Sequence, residues 1–400
     1  MAVAKKAVTF SKEQALELLS CYGSPLYVYD KEVLLRSIEN ISAAVTYPNR
    51  SFHFAAVTNG NLAILKIFQS VGWGLHANTP GDVFLGLHAG FNPANIVYSG
   101  SNLTDAEIVK MLEWSVGTFN LDSIAQVEAF CEVLAKSRVK SPPKLGLRIS
   151  LPNITRGSRI GVRIEEFAEA IKIADSVGLK VTGIHFYRGT GTNATEAFTR
   201  VIGELLDACS LLPDWEFLDF GGGFGYNYRT NRLTFDWSEF GHFLTTKLSK
   251  FNKPIQLLIE PGRAVVAGCG TLLVTVVSVK WRDGKQVVGV DSTVSNLSVI
   301  SVHGGYREIL SFSEDQELYQ TDVCGNTTFS RDYLGRDMPL SRVKKGDILA
   351  IIDSGAYGFA MSSHFLHRVR PAEILLENGS SRLIREREDY NTLLQKQSLE

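Results

Sequence analysis

Four hundred residues exceed what one ordinary hydrophobic core organises, so two domains are expected, and 44% apolar with 21% charged residues is the balance of a globular protein. A formal net charge of -1 leaves no electrostatic footprint for nucleic acid or an anionic membrane surface, and no apolar run is long enough to span a bilayer. The five cysteines (Cys21, Cys131, Cys209, Cys269, Cys324) are scattered and never closely paired, which fits reduced thiols in a cytoplasmic protein and offers no zinc motif.

In chain order, residues 1–30 hold a helical piece from Lys12 to Leu19 and an apolar strand, Pro25–Tyr29. No secretory core follows Lys5 and Lys6. This segment is expected to pack on a β domain formed by residues 266–400. From residue 31 a rhythm begins, with strand-like runs at Ser51–Val57, Gly72–Ala77, Ile96–Ser99, Gly117–Leu121, Lys144–Ile149, Lys180–Tyr187, Phe217–Phe220 and Ile255–Ile259. Between them apolar residues recur at three- and four-residue spacing, as in Leu62, Ile64, Leu65, Ile67 and Phe68. Strands alternating with helices over residues 31–265 have the count and length of a (β/α)8 barrel; a doubly wound open sheet is the other arrangement such a pattern admits. After residue 265 the runs Gly270–Val279, Gln286–Val290, Asp347–Ile352 and Ala372–Leu376 are rich in Val, Ile and Leu with little helical period, which predicts a mostly antiparallel β-barrel or sandwich.

In a barrel of this kind chemistry sits at the C-terminal strand ends. Those ends carry Val57, Thr58 and Asn59; His76 and Asn78; Arg148; His185, Tyr187, Arg188, Gly189 and Thr190; Gly221, Gly222 and Gly223; and Glu260 with Gly262 and Arg263. A glycine turn exposes backbone N–H groups to an anion, most often phosphate. Glu260 beside such a cradle would suit a cationic ring nitrogen, and Arg263 a second anionic group. The blander readings are a plain tight turn, a Glu260–Arg263 ion pair, and core histidines at His53, His76 and His185. His76 in particular reads equally as a buried core residue or as a proton carrier.

The ordered set Leu218–Gly225, Ile259–Arg263, Asp353–Ser363, Arg370–Glu373 and Arg385–Glu388 resembles the alanine-racemase-like (fold type III) pyridoxal-phosphate decarboxylases. The resemblance covers about Tyr27 to Leu394. It implies a barrel followed by a β domain, and a homodimer with active sites at the subunit interface. The glycine turn and Tyr357 would hold the cofactor phosphate, Glu260 would meet the pyridine nitrogen, and Arg148 would lie near the ring. The substrate class it implies is an amino acid or small amine.

The reaction end departs from that family. Its Schiff-base lysine follows the first barrel strand, where this chain reads Phe54-Ala55-Ala56-Val57-Thr58-Asn59; Val57 cannot form an imine. Lys66, nine residues on, reads as a solvated helix residue. His76 stands where an aspartate is expected, and Tyr187 where a histidine stacks on the ring. Thr328 replaces a proton-donating thiol, Phe329 an acidic residue, and Val299 a carboxylate-binding arginine. Pyridoxal 5'-phosphate held non-covalently is therefore expected, with His76, Tyr187 or Thr328 carrying protons. A homologue that binds the phosphate ligand without turnover is the alternative.

Overall fold

In the computed structural model, which describes residues 8–155, 158–189, 191–229, 233–313, 315 and 317–399, the strand–helix rhythm closes on itself. The first strand, β1 (Leu26–Asp30), belongs to a second sheet. The next eight are β2 (Arg50–Ala55), β3 (Gly74–Ala77), β4 (Ile96–Tyr98), β5 (Thr118–Leu121), β6 (Lys144–Arg148), β7 (Val181–His185), β8 (Phe217–Asp219) and β9 (Gln256–Ile259). They pair in parallel in this order, and β9 pairs back with β2, making a closed barrel. Each strand is short and nearly all buried, as parallel strands covered by helices must be. Helix Leu62–Ser70 covers β2 and β3, starts on the Asn61 side chain, and buries Ile64, Leu65, Ile67 and Phe68. Phe68 stacks on Phe54 of β2 at 3.8 Å between ring centres.

Two strands end earlier than their apolar runs. β2 stops at Ala55, because Ala56–Thr58 tightens into a 3-10 turn in which the Thr58 hydroxyl donates to the Ala55 carbonyl at 2.7 Å. β7 stops at His185, so Tyr187 already lies in the loop.

The described residues divide into two compact units, one within Glu39–Tyr226 and Leu233–Ala264, the other within Met1–Ile38, Asn227–Arg232 and Val265–Glu400. The first holds the barrel. The second holds one sheet, formed by β1, β10 (Gly270–Arg282), β11 (Lys285–Val290), β12 (Ile309–Ser311), β13 (Leu318–Cys324), β14 (Tyr333–Ser341), β15 (Ile348–Ile351), β16 (Ala372–Glu377) and β17 (Ser380–Arg385). Its pairings are antiparallel except β1 with β16 and β11 with β13. The core under β1 and β10 gathers Phe10, Leu18, Leu26, Val28, Leu273, Ile348, Ile352 and Ile374.

Candidate active site

Five polar side chains converge at the C-terminal end of the barrel because five strands deliver them there. His76 lies one residue before the end of β3, Arg148, His185 and Asp219 end β6, β7 and β8, and Glu260 follows β9. The Oε2 of Glu260 is 3.4 Å from His185 Nε2 and 3.4 Å from His76 Nε2. The second contact is poorly directed, and both His76 ring nitrogens and Glu260 Oε1 lack a hydrogen-bond partner. Asp219 accepts from the Asn120 amide at 2.8 Å and from the Gly221 N–H at 3.0 Å.

Burial dominates the electrostatics of this cluster. It pushes the Glu260 carboxyl up to about 7 against the opposing influence of Asp219 and Arg148. It raises Asp219 well above the usual carboxylate range, with Glu260 adding to the shift. It lowers His185 to about 4 and His76 well below the ordinary imidazole range. The imidazoles are therefore neutral near pH 7, and Glu260 changes charge there.

The glycine turn begins directly after Asp219. Gly221 has φ +66°, and a Cβ there would stand 2.0 Å from the Phe186 carbonyl oxygen. A Cβ on Gly222 would meet the Glu260 carbonyl at 2.7 Å, and one on Gly223 (φ +92°) the Gly189 carbonyl at 2.3 Å. Only glycine lets these backbones pass so closely. The Gly221 carbonyl accepts the Glu260 N–H at 2.9 Å, which fixes turn and carboxyl side by side. Phe220 and Phe224 flank the turn and sink into a cluster with Phe198, Phe235, Trp237 and Phe240, at ring spacings of 4.8 Å (Phe198–Phe224) and 5.1 Å (Phe220–Phe240). Each such pair contributes about 1 kcal/mol beyond area burial.

Among the described residues, the N–H groups of Gly222 and Gly223 have no acceptor. Two adjacent free donors and a buried carboxyl with an orphaned oxygen fit an anionic phosphate joined to a ring with a basic nitrogen. Arg148 lies over the Tyr187 ring, 5.2 Å from its centre. Gly262 packs against Thr58, where a Cβ would stand 2.6 Å from Thr58 Cγ2, and half-buried Arg263 opens the next helical turn. Gly189, at φ +114°, has open space at its Cα. Thr190 lies outside the described residues. Thr328 and Tyr357 belong to the other unit. Thr328 is exposed in a loop that Asp332 organises by accepting from the Thr327 N–H and hydroxyl, while Tyr357 adopts φ +59°.

Val57 sits in the 3-10 turn at the C-terminal end of β2 with 41% of its surface exposed. Lys66 is exposed on helix Leu62–Ser70, and no lysine among the described residues is buried. Asp219 and Asn120 were not singled out by sequence reading. His185 was expected to be structural, yet its imidazole touches Glu260. The alternation His185–Tyr187 toward one barrel end was the available signal. His185, Asp219 and Glu260 each offer one donor atom, all within 4.8 Å of one another, so a divalent cation could bridge them only by competing with the bonds Asp219 already makes.

The profile of the family described as "Pyridoxal-dependent decarboxylase, pyridoxal binding domain" matches residues 34–267. Diaminopimelate decarboxylase of Methanothermobacter thermautotrophicus is 33% identical, the match covering 96% of this chain and 94% of the relative. That of Aquifex aeolicus is 28% identical over 95% and 93%. The solved diaminopimelate decarboxylase of M. jannaschii in complex with L-lysine superposes with a TM-score of 0.90 at 26% identity, covering 96% of this chain and 94% of that one. With the barrel, the glycine turn and its buried carboxyl in place, these matches settle the lineage: the chain belongs to the pyridoxal-dependent decarboxylase family.

Proposed function

We propose that this chain binds pyridoxal 5'-phosphate without a covalent tether and acts at the α-carbon of an amino acid, by decarboxylation or a related lyase reaction. The observation that carries the reading is the pair of free N–H groups at Gly222 and Gly223 beside the buried Glu260 carboxyl. Within residues 31–265, these donors would hold the phosphate, with Gly189, Gly221, Gly262 and Arg263 shaping the cradle. When bound, the cofactor supplies an electron sink for the pair released at the substrate α-carbon.

The chain's own residues do the rest. Glu260, titrating near neutrality, holds or releases a proton toward a ring nitrogen. Tyr187, braced by the Arg148 guanidinium, offers an aromatic face. His76, neutral and facing Glu260, would carry a proton in this reading. Tyr187 and Thr328 are the other proton carriers in this reading. Phe329 and Val299 in place of charged groups favour a substrate uncharged at its far end; clear preference for a dibasic amino acid in a turnover assay overturns that part. The protein is read as a cytoplasmic homodimer, its five cysteines all unpaired.

A second reading, binding without turnover, is favoured by Val57 in place of the nucleophile and Thr328 in place of the proton-donating thiol. Absorbance titration with pyridoxal phosphate, followed by borohydride reduction and peptide mapping, tests the first. Saturable binding with no adduct at any one lysine is expected, whereas Val57→Lys should gain a stoichiometric adduct at residue 57. A specific adduct in the unmodified protein, or none in Val57→Lys, overturns the tether-free site. Carbon dioxide release across an amino-acid panel separates turnover from binding alone.

A further inference from the structure

The β unit contains a cavity of about 330 Å³ lined by four arginines, Arg229, Arg307, Arg331 and Arg336, together with Tyr306 and Tyr333, and among the described residues no aspartate or glutamate lines it. We propose that this cavity binds a small organic polyanion, a molecule carrying two or more carboxylate or phosphate groups.

The arginines come from three separate segments, so local sequence crowding does not explain their meeting. Gly304, in the left-handed region at φ +61°, ends helix Val299–His303 and turns the chain so that Tyr306 and Arg307 enter the cavity wall. Arg331 and Arg336 bracket the start of β14. Tyrosine rings brace three of the guanidiniums: Arg229 lies 4.0 Å over Tyr306, Arg307 3.8 Å over Tyr228, and Arg336 4.1 Å over Tyr333. Stacking presents the flat fork in a fixed plane, the arrangement suited to bidentate recognition of carboxylate or phosphate. Arg307 is almost wholly buried, and its Nη1 donates to the Tyr306 carbonyl at 2.8 Å.

The nearby acids leave the excess of charge in place. Asp322 and Asp337 are engaged by Lys285, and Asp332 accepts from Thr293, Val294 and Thr327. Glu308 lies close enough to raise the Tyr306 hydroxyl pKa, after burial and against Arg229. Among the described residues, Arg229, Arg331 and Arg336 enter no ion pair. Like charges brought together at such a cavity repel, and a multiply charged anion relieves that repulsion. The volume is at the small end for a ligand pocket, which suits a compact polyanion rather than a nucleotide.

The probes are pyrophosphate and citrate, titrated calorimetrically into the full-length protein at low and high salt. Saturable binding of one or both is expected, weakening as salt screens the charges. Which probe binds better distinguishes a phosphorylated from a carboxylated ligand. The exposed pair Arg229→Ser with Arg336→Ser should weaken binding by roughly tenfold or more, while pyridoxal phosphate titration of the same variant is unchanged. No saturable binding of either probe, or equal binding in the double variant, overturns the proposal. The cofactor titration reads the barrel site separately, so the two assignments fail independently.

Discussion

A carboxylate taken out of water without a cation in contact keeps its proton, and Glu260 follows that rule. Its folded-state pKa of about 7 stands above the ordinary 4.5. Between those values the native protein holds a proton that the unfolded chain has lost, so this group's contribution to stability falls as pH rises from about 4.5 to 7. His185 runs the other way: lowered to about 4 from 6.5, it makes the fold more stable as pH rises across that window. Comparison with Glu260→Gln isolates the carboxyl. From pH 5 to pH 8 the stability of the native protein relative to the variant should fall by on the order of 2–3 kcal/mol, read by urea denaturation at each pH. An unchanged difference would mean Glu260 ionises normally. Glu260 was legible from sequence because a charge after an uncharged strand is conspicuous. Asn120 was not, since inside a short strand its direction depends on barrel closure, which no local pattern encodes, and His185 was read at a strand end but as a structural residue.

At the scale of an element, the glycine turn is set by steric exclusion rather than by flexibility. Gly221 combines φ +66° with a carbonyl 2.0 Å from where a Cβ would be, whereas Gly189 has φ +114° and open space. Gly221→Ala therefore carries backbone strain plus a clash that must move β7 or β8, and should cost about 3 kcal/mol or more. Gly189→Ala carries the strain alone, about 1–2 kcal/mol. Equilibrium denaturation of the two variants gives the comparison, and equal losses would refute the clash. Pyridoxal phosphate affinity should fall in Gly221→Ala in parallel, because the same backbone positions the Gly222 and Gly223 donors. The turn was readable from three consecutive glycines after an apolar strand. The aromatic cluster beneath it was not, because Phe198, Phe224 and Phe240 come from separate stretches that only the fold joins.

Across the whole molecule, the eight-strand rhythm was legible because parallel strands and their covering helices switch period every few residues. The second sheet was legible only in outline. Its parallel pairing of β1 with β16 joins residues such as Leu26 and Ala372, and no local pattern specifies a partner so distant. That unit also presents apolar side chains to solvent: Phe365 is 51% exposed and meets Phe329 edge-on at 5.4 Å, with Val302 and Leu366 exposed as well. Large apolar side chains left outside a core mark a surface that another chain covers. In the proposed homodimer, these residues are the candidates for the covered surface. Sedimentation should then give a species of twice 44.1 kDa for the native protein. Phe365→Glu places a charge where burial is required and should shift the equilibrium toward monomer by roughly a hundredfold or more in dissociation constant. Circular dichroism should stay unchanged, because half-exposed Phe365 lies outside the core cluster under β1 and β10. A native monomer, or a dimer indifferent to Phe365→Glu, would remove this surface from the interface.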